Sequence, residues 1–185
     1  MKIILASSSP RRAELLERLI DDFEIRPAEI VEELDPAASA PENAERLATA
    51  KARAAFEPGS LTLGFDTLGI LDGWMFGKPQ DKAAAVDFLK KLSGKTHRVI
   101  SAFCAKTDEE EKVGSQISKV TFRELSAAEI EQYVKTNPVT TFAGAYAVQG
   151  PAKTFVQKIE GATDTVIGFP TAAIRELLGN LKLET

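Results

Sequence analysis

Ser7-Ser8-Ser9-Pro10-Arg11-Arg12 brings small hydroxyls, a helix-starting proline and two guanidinium groups together within six residues. That combination suits phosphate. The first N–H groups of a helix lack intrahelical partners and carry partial positive charge, and arginine adds forked donors that match phosphate oxygens. An ordinary helix start with solvated arginines would read the same way, so the motif needs company. Lys51 shares a helical face with Leu47 and Ala55, because residues four apart are neighbours on a helix. A lysine on an apolar stripe either snorkels outward or points into a cleft. Asp66, in Gly64-Phe65-Asp66-Thr67, interrupts an apolar run. Burying its charge is costly unless it is paired or metal-bound, although an alternating strand can also turn it to water. Glu33, in Val31-Glu32-Glu33, is a candidate partner. Two carboxylates from separate strand ends could hold Mg²⁺, which prefers oxygen ligands and keeps some of its water; the alternative is a pair of solvated loop charges. Lys78 is held in a defined turn by Gly77 and Pro79. Gln149 offers an amide that can read a base edge with both donor and acceptor. A surface turn and a polar strand end are the plain alternatives for these two.

The elements that must position these groups alternate between strand and helix. Lys2–Ala6 reads as a short buried strand, after which Ser9 is a good N-cap and Pro10 suits the first helical position. Residues 23–31 look extended. A helix is expected from about Glu42 to Phe56, and a strand over Leu61–Leu71 closing on the hairpin signal Asp72-Gly73. A helix follows from about Asp81 to Leu92. Arg98–Lys106 and Gln116–Leu125 read as an antiparallel pair with an acidic tip between them. Ser126 caps a helix running to about Lys135. Ala145–Gln149 and Thr154–Ile159 read as two further strands, and a last helix from Pro170 or Thr171 to about Leu178 is expected to end at Gly179. The mixture argues for an α/β or α+β fold with a mixed sheet.

Composition narrows the field further. The chain has 185 residues, within the range of one domain, and 44% hydrophobic with 27% charged residues is ordinary globular composition. The formal net charge of −4 and the lack of a long basic stripe disfavour a nucleic-acid-binding face. Screening over ~8 Å at physiological salt makes local charge matter more than net charge for an anionic small molecule. Four apolar residues at the N-terminus are too few for a signal-peptide core, and no apolar run is long enough for a membrane span. With Cys104 the only cysteine, a disulfide framework is excluded, which fits a cytoplasmic location. His97 is the only histidine, so a zinc site of His/Cys type within one chain is excluded and a Ser-His-Asp triad has a single histidine to draw on.

The ordered set of motifs resembles the Maf family over nearly the whole chain. It runs Leu5-Ala6-Ser7-Ser8-Ser9-Pro10-Arg11-Arg12, Val31-Glu32-Glu33, Ala50-Lys51-Ala52-Arg53, Asp66-Thr67, Gly77-Lys78-Pro79, Ser93-Gly94-Lys95-Thr96-His97, Ala143-Gly144-Ala145-Tyr146 and Val148-Gln149-Gly150. The resemblance implies a single domain over 1–185 with the fold of inosine-triphosphate pyrophosphatases: an elongated mixed sheet, flanking helices and a central cleft between two lobes. It implies hydrolysis of nucleoside triphosphates to monophosphate and pyrophosphate in a house-cleaning role, with Mg²⁺ or Mn²⁺ as divalent cofactor. Ser7, Arg11, Arg12, Lys51 and Lys78 would contact substrate. Glu33 and Asp66 would hold metal, and Asp66 would activate water. Arg11, Thr67 and Gln149 match the branch favouring dTTP and UTP. Phe65, Phe142 and Ala147 depart from the family pattern, which bears on substrate range. A purine pyrophosphatase acting on ITP or XTP, and a nucleotide-binding regulator of septum formation, are the competing readings. Family members are often homodimers, though the chain itself carries no separate dimer signal.

Overall fold

In a computed structural model of the chain, residues 1–180 are described. Strand β1 (Lys2–Ala6) leads into helix α1 (Pro10–Leu16), with Ser9 at the N-cap and Pro10 at the first position. The two-residue strand β2 (Glu24–Ile25) is all that pairs from the extended segment expected over 23–31. Helix α2 (Ala40–Ala55) starts two residues earlier than expected, because Ser39 and Glu42 form a reciprocal capping box. Strand β3 (Ser60–Leu71) turns at Asp72 (φ 49°) and Gly73 (φ 82°) into β4 (Trp74–Phe76). Two successive positive φ angles are what a two-residue hairpin requires.

Helix α3 (Lys82–Leu92) is capped by the Asp81 side chain, which accepts from Ala84 N. Strands β5 (Thr96–Lys106) and β6 (Glu111–Phe122) are neighbours joined by a four-residue turn, in which the Thr107 hydroxyl accepts from the backbone of Glu109 and Glu110. Helix α4 (Ala127–Thr136) repeats the capping box with Ser126 and Glu129. Strand β7 (Val156–Glu160) and helices α5 (Thr163–Ile167) and α6 (Thr171–Asn180) complete the described chain.

The described strands form one seven-stranded sheet ordered β2-β1-β3-β5-β6-β7, with β4 paired to β3. β1 lies parallel to β2 and β3, whereas β3–β4 and β6–β7 are antiparallel, so the sheet is mixed and the fold is α/β as expected. No helix among the described residues is long and apolar enough to cross a membrane.

The chain divides into two compact units. One comprises Met1–Asp66, Ser101–Gln116 and the segment from Gly168 onward; the other comprises Thr67–Ile100 and Ile117–Ile167. The second unit has its own core, in which Leu89, Leu92, Phe76, Phe122, Tyr133 and Phe155 are buried.

Two expectations fail. Residues 145–149 are not a strand: Ala143–Ala145 is a 3-10 turn with Gly144 (φ 69°) and Ala145 (φ 67°) both left-handed, and Pro151–Phe155 is a second such helix. Left-handed residues cannot continue a pleated strand. Gly179 does not end the last helix, which runs through it to Asn180.

Candidate functional site

The first unit assembles its polar groups where two parallel strands end. In the β1–β3 register the last pair is Ala6 with Gly64. β3 continues past that point, so Phe65 and Asp66 lie beyond the end of β1 while Ser7 begins the turn into α1. The carboxyl ends of parallel strands are where α/β folds place ligand sites.

Asp66 is buried (5% exposed). Its Oδ1 accepts from Lys51 Nζ at 2.6 Å, whereas its Oδ2 is enclosed and has no hydrogen-bond partner among the described residues. Lys51 comes from α2, whose apolar residues Leu47, Ala48, Ala52 and Ala55 are buried. The stripe therefore carries Lys51 inward (6% exposed) instead of letting it snorkel. Its ammonium also meets Glu32 Oε1 at 2.7 Å, so two carboxylates converge on one cation.

Arg12 is held from three sides. Nε donates to the carbonyl of Gly168 at 2.9 Å, and Nη1 donates to Ser7 Oγ and to the carbonyl of Phe65, each at 3.2 Å. The Phe65 ring lies under the guanidinium at 5.7 Å and packs on Phe169 at 4.8 Å. Burial draws the Arg12 pKa below its usual range, while Asp66 and then Glu32 oppose that shift. Arginine remains protonated in either case. Ser7 is buried, and its hydroxyl also accepts from Ser9 N at 3.2 Å. A surface cavity of about 310 Å³ opens beside these residues, lined by Ser7–Pro10, Ala13, Glu14, Glu17 and Ile25.

Ser7 pairs with Arg12 and Lys51 with Asp66, and the Phe65 carbonyl that Arg12 meets brings the two pairs together within one unit. Arg11, half-buried, opens α1 beside Arg12. Glu33 is exposed, and its backbone carbonyl accepts from Arg46. Its neighbour Glu32 is the carboxylate that reaches Lys51. Adjacent residues of an extended chain point opposite ways, and the sequence holds no sign of which of the two faces the lysine. The carbonyls of Phe65 and Gly168, which orient Arg12, were equally unreadable, since any residue supplies a carbonyl. Thr67, Lys78 and Gln149 belong to the second unit: Thr67 is half-buried on β3, Lys78 is exposed between Gly77 and buried Pro79, and Gln149 is exposed in a turn.

His97 and Cys104 stand apart from this chemistry. His97 is enclosed by Phe76, Phe122 and Tyr146, with Nε2 2.7 Å from Tyr146 Oη, and burial pushes its pKa down to about 4. Burial pushes the Cys104 thiol up, so it is no nucleophile.

The donor set can be tested against a divalent cation. Among the described residues no three His, Cys, Asp or Glu side chains gather into a cage. The buried, unpartnered Asp66 Oδ2 and the convergent Glu32 fit the other mode, in which one or two carboxylates hold Mg²⁺ together with water and substrate phosphates.

A mixed α/β sheet with a buried carboxylate at a strand end, met there by an ammonium and a fixed guanidinium from the flanking helices, defines a class of protein that handles phosphate-rich small molecules. The chain belongs to the Maf family, whose Maf-like protein model matches residues 2–181. It is 42% identical over 185 residues to the dTTP/UTP pyrophosphatase of Aquifex aeolicus, covering 99% of this chain and 97% of that one. It is 44% identical over 181 residues to the dTTP/UTP pyrophosphatase of Citrifermentans bemidjiense, covering 95% and 93%. It is 40% identical over 176 residues to the protein of the same name from Thermococcus gammatolerans, covering 95% and 94%. The solved structure of the Staphylococcus aureus Ham1 protein shares 14% identity, with a TM-score of 0.44 over 66% of this chain and 72% of that one. That likeness is too slight to argue from.

Proposed function

We propose that this protein is a divalent-cation-dependent nucleoside triphosphate pyrophosphatase acting on dTTP and UTP, with monophosphate and pyrophosphate as products. The observation that carries the reading is Asp66: a buried carboxylate with one oxygen fixed by Lys51 and the other without a partner among the described residues, next in the chain to Phe65, whose carbonyl accepts from Arg12. An anion-binding site with no hydrolytic task gains nothing from a buried carboxylate. The names of the relatives, and the match of Arg11, Thr67 and Gln149 to the dTTP/UTP branch, favour the pyrimidine substrates.

Attack at the α-phosphorus builds negative charge on the departing pyrophosphate. Arg12, already desolvated and oriented, meets that charge without reorganising, which is the condition under which fixed cations lower a barrier most. Ser7, Arg11, Lys51 and Lys78 are assigned to the triphosphate, and Thr67 and Gln149 to the base. When bound, the cation polarises phosphate oxygens and lowers the pKa of its water. Asp66 and Glu33, with Glu32 beside it, would supply carboxylate oxygens for it, and Asp66 would orient or deprotonate the attacking water. We assign the reaction to the house-cleaning of nucleotide pools in the cytoplasm.

The test is a panel of dTTP, UTP, ITP, XTP and 7-methyl-GTP with Mg²⁺ or Mn²⁺, with pyrophosphate and orthophosphate separated. Preferential release of pyrophosphate from dTTP and UTP is expected. Preference for ITP or XTP would refute the pyrimidine assignment, and binding without products would refute the enzyme.

A further inference from the structure

Lys51 occupies one oxygen of each carboxylate that a cation would use. Its Nζ contacts Asp66 Oδ1 at 2.6 Å and Glu32 Oε1 at 2.7 Å, and the lysine and aspartate side chains are each only 7% exposed. Arg12 is near enough to feel both carboxylates. Arg12 also feels Arg11, so the set holds Lys51, Arg11 and Arg12 against Asp66 and Glu32, with the positive charges in excess by one. A divalent ion entering such a set brings two positive charges toward three that are already there, and water screens poorly at the buried Lys51–Asp66 end. It also finds each carboxylate engaged with an ammonium. A triphosphate changes both conditions, because it carries its own negative charge and offers oxygens to which a flexible lysine can turn.

We propose that Lys51 competes with the divalent cation for Glu32 and Asp66, so that the cation enters with the triphosphate and is held only weakly by the protein alone. Lys51 is then a positioning residue that sets the order of binding, beyond its contact with phosphate. The inference rests on the pyrophosphatase reading of this site, but its readout is metal binding and needs no turnover.

Mn²⁺ binding is measured by the electron paramagnetic resonance signal of the free ion, on full-length protein without nucleotide. The wild type should bind Mn²⁺ weakly, and Lys51→Met should bind it at least ~10-fold tighter, because one positive charge leaves the set while both carboxylates stay. Adding Glu32→Gln to Lys51→Met should remove the gain. Unchanged affinity in folded Lys51→Met, or a gain that persists in the double variant, overturns the proposal. If Lys51→Met does not fold, the wild type decides: an α,β-methylene analogue of dTTP should raise Mn²⁺ retention ~100-fold above the sum of protein and analogue measured separately. Equally tight Mn²⁺ binding with and without the analogue overturns it. A wild type that hydrolyses dTTP yet binds Mn²⁺ tightly by itself would sink this inference and leave the pyrophosphatase reading standing. A wild type that shows the Lys51 effect but no turnover would do the reverse.

Discussion

A Cβ on Gly64 would fall 2.2 Å from the carbonyl oxygen of Ala48, so strand β3 and helix α2 meet backbone to backbone. That contact brings Lys51, three residues beyond Ala48, onto Asp66, two residues beyond Gly64.

Gly64→Ala should therefore act on both stability and chemistry. The added methyl also meets Ala52 N at 2.6 Å, so helix and strand must part. Overpacking of this kind costs about 1–3 kcal/mol. A lowered melting temperature is expected, with a larger fall in kcat than rise in KM as the Lys51–Asp66 contact opens. Gly179→Ala is the control. Among the described residues its Cβ would meet nothing within 4 Å, and it lies in the last turn of α6, so it should leave the melting temperature unchanged or raise it, by less than the ~1 kcal/mol of a helix interior. Equal melting temperatures for the two variants would refute the packing argument.

Asp66→Asn should keep nucleotide binding and lose turnover by about 10²–10⁴-fold, the range associated with a positioned base. The amide retains the shape of the side chain but cannot take a proton from water. Isothermal titration with a non-hydrolysable dTTP analogue, alongside kinetics, separates the two effects. Near-wild-type turnover would exclude Asp66 as base or essential ligand.

Arg12→Lys should be damaging despite its conserved charge. Arg12 satisfies the Gly168 carbonyl, the Phe65 carbonyl and Ser7 Oγ through one planar fork, and a lysine ammonium cannot reproduce that geometry. Losing hydrogen bonds from a half-buried charged donor should cost about 2 kcal/mol, or on the order of 5 °C in melting temperature for a chain of this size. An unchanged thermal transition would contradict the clamp.

Acid should destabilise the protein through His97 before it titrates the paired carboxylates. Burial holds the folded-state pKa at about 4, against 6.5 for the free side chain. Above pH 6.5 the histidine is neutral in both states and its contribution is intact. As pH falls from 6.5 toward 4, only the unfolded chain takes up the proton, so stability declines by up to ~3 kcal/mol. His97→Gln, which keeps a polar partner for Tyr146, should flatten denaturation midpoints across that window. Below about 4.5 both proteins should lose stability together as Glu24, Glu111 and Glu129 protonate in the unfolded chain alone, since Arg26, Arg53 and Arg123 hold these folded-state carboxyls at about 2. The same pH slope in variant and wild type would exclude His97.

Much of this architecture is legible in the chain because local signals agree. Apolar periodicity, Ser9-Pro10, Asp72-Gly73, Asp81 and Ser126 mark element ends that the structure shows to within one or two residues. Residues 145–149 mislead for a physical reason. Ala145, Tyr146 and Val148 are apolar because they are buried in the core of the second unit, and burial without regular pairing leaves the same apolar mark as a strand. At the site, Asp66, Lys51 and Arg12 stand out by chemical type against apolar or helix-start surroundings. Glu32 does not, since choosing between adjacent glutamates requires the path of the irregular segment before α2.

The central claim is attack of water at the α-phosphorus. Hydrolysis of dTTP or UTP in ¹⁸O-labelled water, followed by mass spectrometry of both products, tests it most directly. One labelled oxygen in the monophosphate and none in the pyrophosphate is the predicted result. Label in pyrophosphate or in orthophosphate would place the attack at another phosphorus and contradict the account.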